Sequence, residues 1–293
     1  MPLHDAIVHA ISAASGEAFR LENVTGVGGG CINTTEVLEG GGRRFFVKRN
    51  DVTRFDMFEA ESEGLIEIAN SMSVRVPRPV CSGTHAGQAY LVLEYLDIGY
   101  RAGNGELLGR QLAAMHRATH ARFGWHRNNT IGSTPQVNTA EHDWPAFYRE
   151  HRLRFQLELA EENGHGADLL WRAEQLLEKL PAFFAGYQPL PSLLHGDLWG
   201  GNHAVLRDGT PVIFDPAVYY GDREADLAMT ELFGGFGPGF YAAYREAWPL
   251  DPGYHVRRDL YNLYHVLNHL NLFGGGYREQ SLQLIDRLLS ETC

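Results

Sequence analysis

Asp197, Asn202 and Asp215 combine residue types and a spacing that could transfer a phosphoryl group. Asp197 ends the segment His195-Gly196-Asp197, Asn202 follows it by five positions, and Asp215 ends a short apolar run. Phosphoryl transfer from a metal-bound nucleotide needs one carboxylate to orient and deprotonate an acceptor hydroxyl. It also needs a carboxylate and an amide oxygen to hold the magnesium that neutralises the phosphates. The pattern predicts Asp197 as the catalytic base, with Asn202 and Asp215 as Mg2+ ligands.

The stretch around Asp197 is typical of a kinase catalytic loop in which Gly196 replaces the Arg of H-R-D-x-x-x-x-N. A single loop aspartate is more often a turn cap, and a three-residue string occurs by chance. The joint pattern is more specific, because a glycine loop and a strand lysine precede it in the order that a kinase requires. His195 is expected to brace the loop through hydrogen bonds rather than to act as the base.

The upstream glycines and Lys48 form the predicted nucleotide side. Gly28, Gly29 and Gly30 supply backbone amides without side-chain bulk, as a phosphate loop needs, although a flexible hairpin turn uses glycine equally well. Lys48 ends the apolar run Phe45-Phe46-Val47. A lysine there is costly to desolvate unless it is paired or contacts phosphate, and the alternative is a solvated lysine at a strand end.

Glu61 is the favoured partner of Lys48 among the acidic residues of the following helix. It shares a helical stripe with Phe58 and Leu65, at spacings of three and four residues. Backbone groups of Glu94 and Leu96, at the end of the last predicted strand, could pair with adenine. The predicted cofactors are ATP and Mg2+, and the predicted nucleotide contacts are Gly28, Gly29, Gly30, Lys48, Glu61, Glu94 and Leu96.

The chain after Asp215 has no room for a regulatory activation segment. Protein kinases carry D-F-G here and a long loop before A-P-E, whereas this chain enters a helix within about seven residues. Asp222 is the expected N-cap of that helix and Asp226 a structural member of it. Because the connection is too short for an activation segment, it favours a small-molecule acceptor.

Hydrophobic periodicity predicts the elements that must position these residues. A helix over 5–14 precedes three strands over 19–27, 32–38 and 43–49, a helix over 53–69, and two strands near 80–81 and 90–95. These elements make a small lobe that ends at residue 96. The predicted domains are therefore an N-terminal nucleotide-binding lobe, 1–96, and a C-terminal catalytic and substrate lobe, 97–293.

The second part of the chain has mainly helical periodicity. Residues 120–142 are rich in Asn, Gly, Thr and Pro and predict a long loop, which is uncommon in a compact domain unless it binds something. A hairpin turn at 207–210 separates Asn202 from Asp215. The predicted helices are 106–119, 144–163, 167–187, 222–233, 239–246, 256–272 and 281–289.

Composition sets the broad class of the protein. The chain has 293 residues, a formal net charge of -11, and 44% hydrophobic residues, values typical of a globular protein large enough to bury a real core. The negative charge argues against a nucleic-acid-binding surface. No run is long enough to span a membrane, and the first residues lack the pattern of a signal peptide. Three scattered cysteines indicate neither a disulfide framework nor a zinc site, so a cytoplasmic location is expected.

The sequence resembles the fructosamine kinases, also called ketosamine-3-kinases, which are relatives of aminoglycoside phosphotransferases and choline kinases. The resemblance covers nearly the whole chain. It rests on the segments 28–32, 76–79, 194–199, 214–217, 220–221, 233–236 and 267–269, and on the loop segments 123–126, 134–138 and 143–144. Generic small-molecule kinases share the Asp and Asn pattern but lack the segments 233–236 and 267–269 and the loop segments.

The resemblance implies an α+β, bilobal protein-kinase-like fold, with a small antiparallel-sheet lobe containing one helix and a larger, mainly helical lobe. It also implies ATP-dependent phosphorylation of the sugar O3 of fructosamine, ribulosamine or erythrulosamine adducts. The 3-phosphate is unstable and sheds the amine, so the reaction deglycates amines and proteins. The expected partner is a small ketosamine or a glycated protein, with no nucleic acid or membrane, and the protein is expected to be a monomer or a dimer.

Aromatic and polar residues supply candidates for binding a sugar. The predicted substrate contacts are Trp199, Tyr219, Asn268 and His269, with Trp125 as a further candidate. Taken singly, each could equally be packing, and a buried polar network is the alternative for the strip 261–269. Cys31 is a redox candidate, because loop amides and a nearby lysine favour its thiolate and some relatives are thought to use a cysteine here as a switch. A small residue beside glycines needs no such role.

Two other function classes remain open from the residues alone. One is a kinase of another small alcohol, such as an aminoglycoside, choline or homoserine; the net charge of -11 is compatible with a polycationic acceptor. The other is a nucleotide-binding scaffold without catalysis. The second is disfavoured because Lys48, Asp197, Asn202 and Asp215 are all present.

Overall fold

A computed structural model of the chain describes residues 1–28, 32–100 and 104–292. The helices are α1 (Leu3–Ser15), α2 (Phe55–Asn70), α3 (Gly105–His116), α4 (Trp144–Tyr148), α5 (Phe155–Glu162), α6 (Ala167–Lys179), α7 (Glu224–Leu232), α8 (Pro238–Ala247), α9 (Tyr254–Phe273) and α10 (Tyr277–Glu291). The strands are β1 (Asn23–Val27), β2 (Thr34–Gly40), β3 (Arg43–Asp51), β4 (Pro79–His85), β5 (Gln88–Glu94), β6 (Ile98–Tyr100), β7 (Asn129–Ile131), β8 (Thr134–Gln136), β9 (Ser192–Leu194), β10 (His203–Leu206), β11 (Pro211–Ile213) and β12 (Tyr219–Gly221).

The chain groups into two compact units. The first contains residues 1–104 and 203–216, and the second contains residues 105–202 and 217–293. The hairpin β10–β11 therefore belongs with the N-terminal elements, a grouping that the predicted division at residue 96 did not include. The assignment of functions to the lobes 1–96 and 97–293 stays a prediction.

The first unit is built on a five-stranded antiparallel sheet with the order β1-β2-β3-β5-β4. Alternate residues of the central strands face a core that helix α1 covers with Ile7 and Ile11. Helix α1 ends at Gly16, whose φ of 73° is the left-handed conformation that glycine tolerates at a helix terminus. The strand and helix order predicted from periodicity is confirmed here, with shifts at the boundaries.

The small sheet β11-β10-β6 completes the first unit. Val212 forms a parallel bridge with Arg75, and the Ile213 amide donates to the Arg75 carbonyl at 3.0 Å. These bonds fix the end of β11 beside the segment that leads into β4. Strand β6 was not predicted, because three residues are too few to show an alternating pattern.

The second unit packs its helices around α9, which contacts α5, α7 and α10. Most of the predicted helices are found, but the one predicted over 167–187 ends at Lys179 and is followed by a 3-10 turn over Leu180–Phe184. The predicted loop over 120–142 contains the hairpin β7–β8, and β9 pairs with β12. Each of these strands has three residues. Local pattern does not reveal such strands, since their pairing with distant segments is what stabilises them.

A π-helical turn at Arg149–Arg154 interrupts the predicted helix over 144–163, between α4 and α5. Arg152 lies in this turn and is fully buried, with its guanidinium 4.0 Å from the centre of the Tyr219 ring. It donates to the Val137 carbonyl at 2.5 Å and to Asn138 Oδ1 at 2.7 Å. The π-helical turn between α4 and α5 is therefore hydrogen-bonded to the segment that follows β8.

No helix in the described part of the chain is both long enough and apolar enough to cross a membrane.

Candidate active site

Lys48 lies in β3 between two carboxylates. Its Nζ is 2.6 Å from Glu61 Oε1 on α2 and 2.6 Å from Asp215 Oδ1, two residues after β11. In the sheet, Lys48 faces Thr35 of β2 and Leu91 of β5, so it sits inside β3 rather than at its end as predicted. The three side chains come from separate elements of the first unit and meet at one ammonium group.

Opposite charges keep the Lys48 ammonium ionised. Burial lowers the pKa of Lys48, but the charges and hydrogen bonds of Asp215 and Glu61 outweigh burial and hold this pKa above its ordinary value. For Glu61, burial is the larger effect and raises the pKa of its carboxyl despite the Lys48 charge. The two 2.6 Å contacts of the Lys48 ammonium make the cluster an ion pair that a nucleotide phosphate could join.

Asp215 has a φ of 58°, in the left-handed region that few residues other than glycine adopt. Aspartate is among the better tolerated exceptions, because its short polar side chain can bond locally. The side chain of Asp215 is about half exposed, unlike that of Glu61. This exposure suits a group that contacts both Lys48 and a ligand.

The other predicted nucleotide contacts are only partly described. Gly28 is exposed after β1, whereas Gly29, Gly30 and the redox candidate Cys31 lie outside the described residues. Glu94 ends β5, where its amide donates to the Arg78 carbonyl at 2.9 Å and its carboxylate pairs with Arg75. The carbonyl of Leu96 accepts from the Ile98 amide at 3.0 Å.

Gly196 allows the backbone turn that precedes Asp197 in the second unit. Its φ is 82°, and a Cβ at this position would lie 2.0 Å from the Ala217 carbonyl oxygen. The Ala217 amide in turn donates to the His195 carbonyl at 2.8 Å. Only glycine fits this position, which explains why the Arg of the usual kinase loop is replaced.

Asp226, on α7, anchors the backbone of the same loop. Its carboxylate accepts from the His195 amide at 2.7 Å and from the Gly196 amide at 2.8 Å. It also pairs with His116 Nε2 at 3.2 Å. Burial raises the pKa of Asp226, but its hydrogen bonds and the nearby histidines outweigh burial and hold this pKa below its ordinary value. The structural role predicted for Asp226 is confirmed, and it extends to the loop before Asp197.

Asn202 closes the loop around Asp197. Its Nδ2 donates to the Asp197 carbonyl at 2.8 Å and lies 3.4 Å from Asp197 Oδ2. His195 is buried and its Nδ1 accepts from the Asp197 amide at 3.3 Å, the bracing contact expected of it. The two residues hold the Asp197 backbone, while the Asp197 side chain is half-buried.

Gln136, on β8, contacts the Ala217 backbone, which in turn bonds to the loop before Asp197. Its Nε2 donates to the Ala217 carbonyl at 3.0 Å and to Asn129 Oδ1 at 2.8 Å, and its Oε1 accepts from Tyr264 at 2.8 Å. All four groups are buried. A sequence-based signal for this contact was present in the unusual polarity of the segment 129–138, but nothing local indicated Ala217 as the partner.

The substrate candidates fall into two groups by exposure. Trp199 is 40% exposed and His269 is half-buried, and both rings contact Phe233, with centroids at 6.3 and 4.9 Å. Tyr219 and Asn268 are buried at 3% and 2% exposure. Tyr219 stacks on Phe147, and Asn268 accepts from Gln156 at 3.2 Å. Trp125, the further candidate, is also buried at 8% exposure.

Oxygen ligands for a magnesium ion are present on the residues predicted to supply them. Asp215 offers a half-exposed carboxylate. Asn202 uses its amide nitrogen for Asp197, so its amide oxygen is the group that could coordinate a cation. Mg2+ is commonly bound by one or two such protein groups together with nucleotide phosphates. The described ranges contain no cluster of three His, Cys, Asp or Glu side chains of the kind that holds a metal by itself.

Asp222 belongs to a buried hydrogen-bond network rather than to the candidate nucleotide contacts or the candidate substrate contacts. Its carboxylate accepts from the Glu224 amide at 3.0 Å at the start of α7, as the predicted cap would. It also accepts from Tyr187 at 2.9 Å and from Tyr261 at 2.5 Å. Burial raises the pKa of Asp222 although these donors oppose the rise.

Comparison with known proteins identifies the family. The model of the family described as fructosamine kinase matches residues 3–291. The probable ketoamine kinase of Synechocystis sp. is 48% identical over 288 residues, which are 97% of this chain and 96% of that protein. The chloroplastic protein-ribulosamine 3-kinase of Oryza sativa subsp. indica is 43% identical over 277 residues, or 94% and 81% of the two chains.

Solved structures agree with this match. A structure from Haemophilus somnus assigned as a fructosamine-3-kinase has a TM-score of 0.88 and 27% identity over 97% of this chain and 96% of that one. The choline kinase of Streptococcus pneumoniae has a TM-score of 0.66 at 14% identity, covering 99% of each chain. An aminoglycoside phosphotransferase in complex with ADP and hygromycin B has a TM-score of 0.61 at 14% identity, covering 97% and 98%.

The two more distant structures show the fold alone, and they confirm the predicted α+β, protein-kinase-like fold. The full-length family match confirms the resemblance drawn from the sequence motifs. The chain belongs to the fructosamine kinase family.

Proposed function

We propose that this protein is a ketosamine kinase, which transfers the γ-phosphoryl group of ATP to the sugar O3 of ketosamines. The observation that carries the proposal is the family match along residues 3–291 of a chain that retains Lys48, Asp197, Asn202 and Asp215. The relatives named ketoamine kinase and protein-ribulosamine 3-kinase support this acceptor class.

ATP is proposed as the phosphoryl donor, with Lys48 as its main charged contact. The paired Lys48 ammonium would bind phosphate oxygens while Glu61 holds it in position. Gly28, Gly29 and Gly30 are proposed to cover the phosphates, and the backbone near Glu94 and Leu96 to bind adenine. The ADP complex of the aminoglycoside phosphotransferase supports nucleotide use by this fold.

Mg2+ is the proposed second cofactor, with Asp215 and Asn202 as its protein ligands. When bound, it would neutralise charge on the phosphates and on the leaving group. Asp215 would then exchange part of its contact with Lys48 for the cation, which its half-exposed carboxylate permits. Asn202 would keep its bond to the Asp197 carbonyl and present its amide oxygen.

Asp197 is the proposed base for the acceptor hydroxyl. Its carboxylate would accept a hydrogen bond from the sugar O3–H, orient the oxygen, and take the proton as phosphate transfers. The backbone of Asp197 is already fixed by His195 and Asn202. Preorganisation of this kind lowers the entropy cost of bringing the hydroxyl into line.

Trp199 and His269 are the proposed contacts to the sugar, since both are accessible and share Phe233 as a neighbour. Tyr219 and Asn268 would act through the residues that they pack against. The 3-phosphate formed on the sugar sheds the amine, so the reaction would restore the unmodified amino group of small amines and proteins.

A kinase of another small alcohol is the second candidate. The choline kinase and the aminoglycoside phosphotransferase share the fold but only 14% of residues in each case. A non-catalytic scaffold is disfavoured because every residue of the predicted phosphoryl-transfer set is present. The first alternative is tested by the identity of the acceptor, and the second by whether the protein consumes ATP with any acceptor.

The experiment is an ATP-consumption assay of the purified chain with fructoselysine, ribuloselysine and erythruloselysine, compared with kanamycin and choline. We expect ADP formation with at least one ketosamine and none above background with the other two acceptors. Turnover of kanamycin or choline alone would contradict the assignment. An ATP-hydrolysis control without acceptor separates transfer to a sugar from transfer to water.

The cytoplasmic location and the monomeric or dimeric state stay predictions. The rice relative is named as a chloroplast protein. Fractionation of the source cells and light scattering of the purified protein would measure the two properties.

A further inference from the structure

Gly201 lies in the loop between Asp197 and Asn202, against the indole ring of Trp199. A Cβ at position 201 would lie 2.2, 2.4 and 2.7 Å from the Cζ2, Cη2 and Cε2 atoms of that ring. Carbon atoms in contact are normally about 3.5 Å apart or more. The indole ring therefore occupies the space that any side chain at position 201 would need.

The backbone at Gly201 does not itself require glycine. Its φ lies outside the left-handed region, unlike that of Gly196, whose φ is 82°. A residue with a side chain could adopt the backbone conformation of Gly201 without strain. The missing side chain at position 201 therefore makes room for the Trp199 ring rather than for a turn of the chain.

A second aromatic ring holds the indole from another direction. Phe233, directly after α7, contacts Trp199 edge-on, with ring centroids 6.3 Å apart and an angle of 79° between the planes. The Phe233 ring also lies 4.9 Å from the ring of His269, the other proposed sugar contact. Trp199 nevertheless stays 40% exposed. A half-exposed ring that the protein already holds in place costs little entropy when a ligand binds to it.

Trp199 is tied to the proposed base through the backbone of the same loop. The Trp199 amide donates to the Asp197 carbonyl at 3.2 Å, and the Trp199 carbonyl accepts from the Asn202 amide at 3.0 Å. Because the proposed sugar contact and the proposed base are two residues apart, the direction of the indole sets where a bound sugar lies relative to the Asp197 carboxylate. A misplacement of about 1 Å is enough to slow a reaction strongly.

We infer that Gly201 is a positioning residue for the acceptor, because a side chain at this position would displace the Trp199 indole from the orientation that binds the sugar. Gly201 acts through Trp199 and makes no contact with the sugar itself. The inference rests on the proposed ketosamine kinase function and adds a residue that controls acceptor binding.

Gly201→Ala is the first test. The backbone conformation suits alanine, so the relief of the contact has to come from the indole, which must move by more than about 1 Å. We expect the KM for fructoselysine to rise about tenfold, with an unchanged KM for ATP and little change in Tm. An unchanged KM for fructoselysine would overturn the inference. An equal rise in both KM values would also overturn it, because the whole loop would then be distorted.

A double-mutant cycle tests whether Gly201 acts through Trp199. Trp199→Ala should itself raise the KM for fructoselysine. In that background the added methyl group of Gly201→Ala meets no indole, so we expect no further rise. A further rise as large as the one in the wild type would show that position 201 acts independently of Trp199, and the inference would be wrong.

Gly200→Ala is the matched control. It makes the same chemical change one position earlier in the loop, where the φ is also outside the left-handed region and a Cβ meets nothing within 4 Å. We expect the wild-type KM for fructoselysine. If Gly200→Ala and Gly201→Ala raise this KM equally, the effect comes from losing a loop glycine rather than from moving the indole, and the inference fails.

Fluorine NMR measures the position of the indole without any turnover. The chain has five tryptophans, so labelling with 5-fluorotryptophan should give five resonances, and Trp199→Phe assigns the one from Trp199. We expect Gly201→Ala to shift the Trp199 resonance and Gly200→Ala to leave it in place. An unshifted resonance in Gly201→Ala would overturn the inference even if the protein is an active ketosamine kinase.

The same label separates failure of the inference from failure of the proposed function. If the unmodified chain phosphorylates no ketosamine, the kinase assignment fails, and binding alone then tests the inference. Titration with fructoselysine should shift the Trp199 resonance of the unmodified chain at concentrations that leave the resonance of Gly201→Ala unchanged. Equal responses of the two proteins, or a response of neither, would overturn the inference.

Discussion

Lys48 in the first unit and Asp197 in the second are held by different kinds of contact. Lys48 is fixed by side chains, since Glu61 and Asp215 each lie 2.6 Å from its ammonium. Asp197 is fixed through its backbone, which follows a turn whose amides bond to the carboxylate of Asp226. The first arrangement can loosen when a ligand brings new charges, because only side chains must move. The second arrangement stays in place, because moving it would break main-chain hydrogen bonds.

This difference matches what each group is proposed to do. A phosphate contact has to exchange partners as nucleotide enters and leaves, and a paired lysine with a half-exposed partner can do so. A base must remain within hydrogen-bond reach of one oxygen, and a rigid backbone serves this need. Substitutions in the two regions should therefore separate nucleotide affinity, turnover and stability.

Asp197→Asn should have the largest effect and should act on turnover alone. Removing the carboxylate that accepts the proton should lower kcat about 1,000-fold, while the dissociation constant for ATP changes little because the backbone contacts remain. Steady-state kinetics and calorimetric titration with ATP measure the two quantities. Lost ATP affinity with residual turnover would contradict the role of Asp197 as base.

Lys48→Met should affect both stability and nucleotide binding. Glu61 would keep a buried carboxylate without its cation, so the free energy of unfolding should fall by about 3 kcal/mol. The KM for ATP should rise as well. Lys179→Met, an exposed lysine of α6, is the matched control and should change neither quantity. Chemical denaturation and kinetics test both variants. A Lys48→Met variant with wild-type stability and an unchanged KM for ATP would contradict the proposed role of the ion pair.

The contribution of Lys48 to the free energy of unfolding should depend on pH in a defined direction. The pKa of Lys48 is raised in the folded protein, so its contribution to stability is complete below the unfolded pKa of about 10.4. The contribution is lost as the pH rises through the folded pKa. Denaturation curves of the wild type and of Lys48→Met should therefore keep a constant separation near neutral pH and converge only in strong alkali.

Gly196→Ala should break the backbone arrangement of the second unit. The new Cβ would meet the Ala217 carbonyl oxygen at 2.0 Å and would require a strained φ of 82°. A loss of about 2 kcal/mol in the free energy of unfolding is expected, together with reduced kcat. Gly200→Ala is the control for stability, since a Cβ there meets nothing within 4 Å. Equal stability of the two variants would contradict the steric argument.

Gly28→Ala should have the smallest effect and would sharpen the assignment of the glycine loop. A Cβ at Gly28 meets nothing within 4 Å in the structure, so stability should change by less than about 0.5 kcal/mol. If the loop closes over phosphates, the KM for ATP should still rise a few-fold, because the added methyl group limits the approach of the backbone. Unchanged KM would favour the plain hairpin turn.

Patterns in the sequence singled out candidate residues around Lys48 and around Asp197. They did not predict which of these residues contact each other. Helical spacing singled out Glu61 among the four glutamates of that helix, and the structure places it against Lys48. Asp215 was predicted only as a metal ligand, because two residues separated by 167 positions in the sequence gave no indication that they pair. Contacts of this kind depend on tertiary structure rather than on local pattern.

The buried carboxylates and short strands account for most of what was missed. Asp226 looked like an ordinary residue of a helix, yet it holds two backbone amides of the loop before Asp197. Tyr219 and Asn268 looked like sugar contacts because they are polar or aromatic, but both are buried and engaged with protein groups. Residue type alone does not distinguish a polar core from a binding surface.

The π-helical turn at Arg149–Arg154 gives this stretch of helix one residue more than a regular α-helix would hold. A π turn closes its hydrogen bonds over one more residue than an α turn, so it corresponds to a single-residue insertion in an α-helix. Deleting one residue there would restore a regular α-helix and remove the wide turn, because the turn accommodates the extra residue locally. Arg152 would leave its place against Tyr219 and Asn138. The extra residue of the π-helical turn is therefore what places the Arg152 guanidinium against the Tyr219 ring and Asn138.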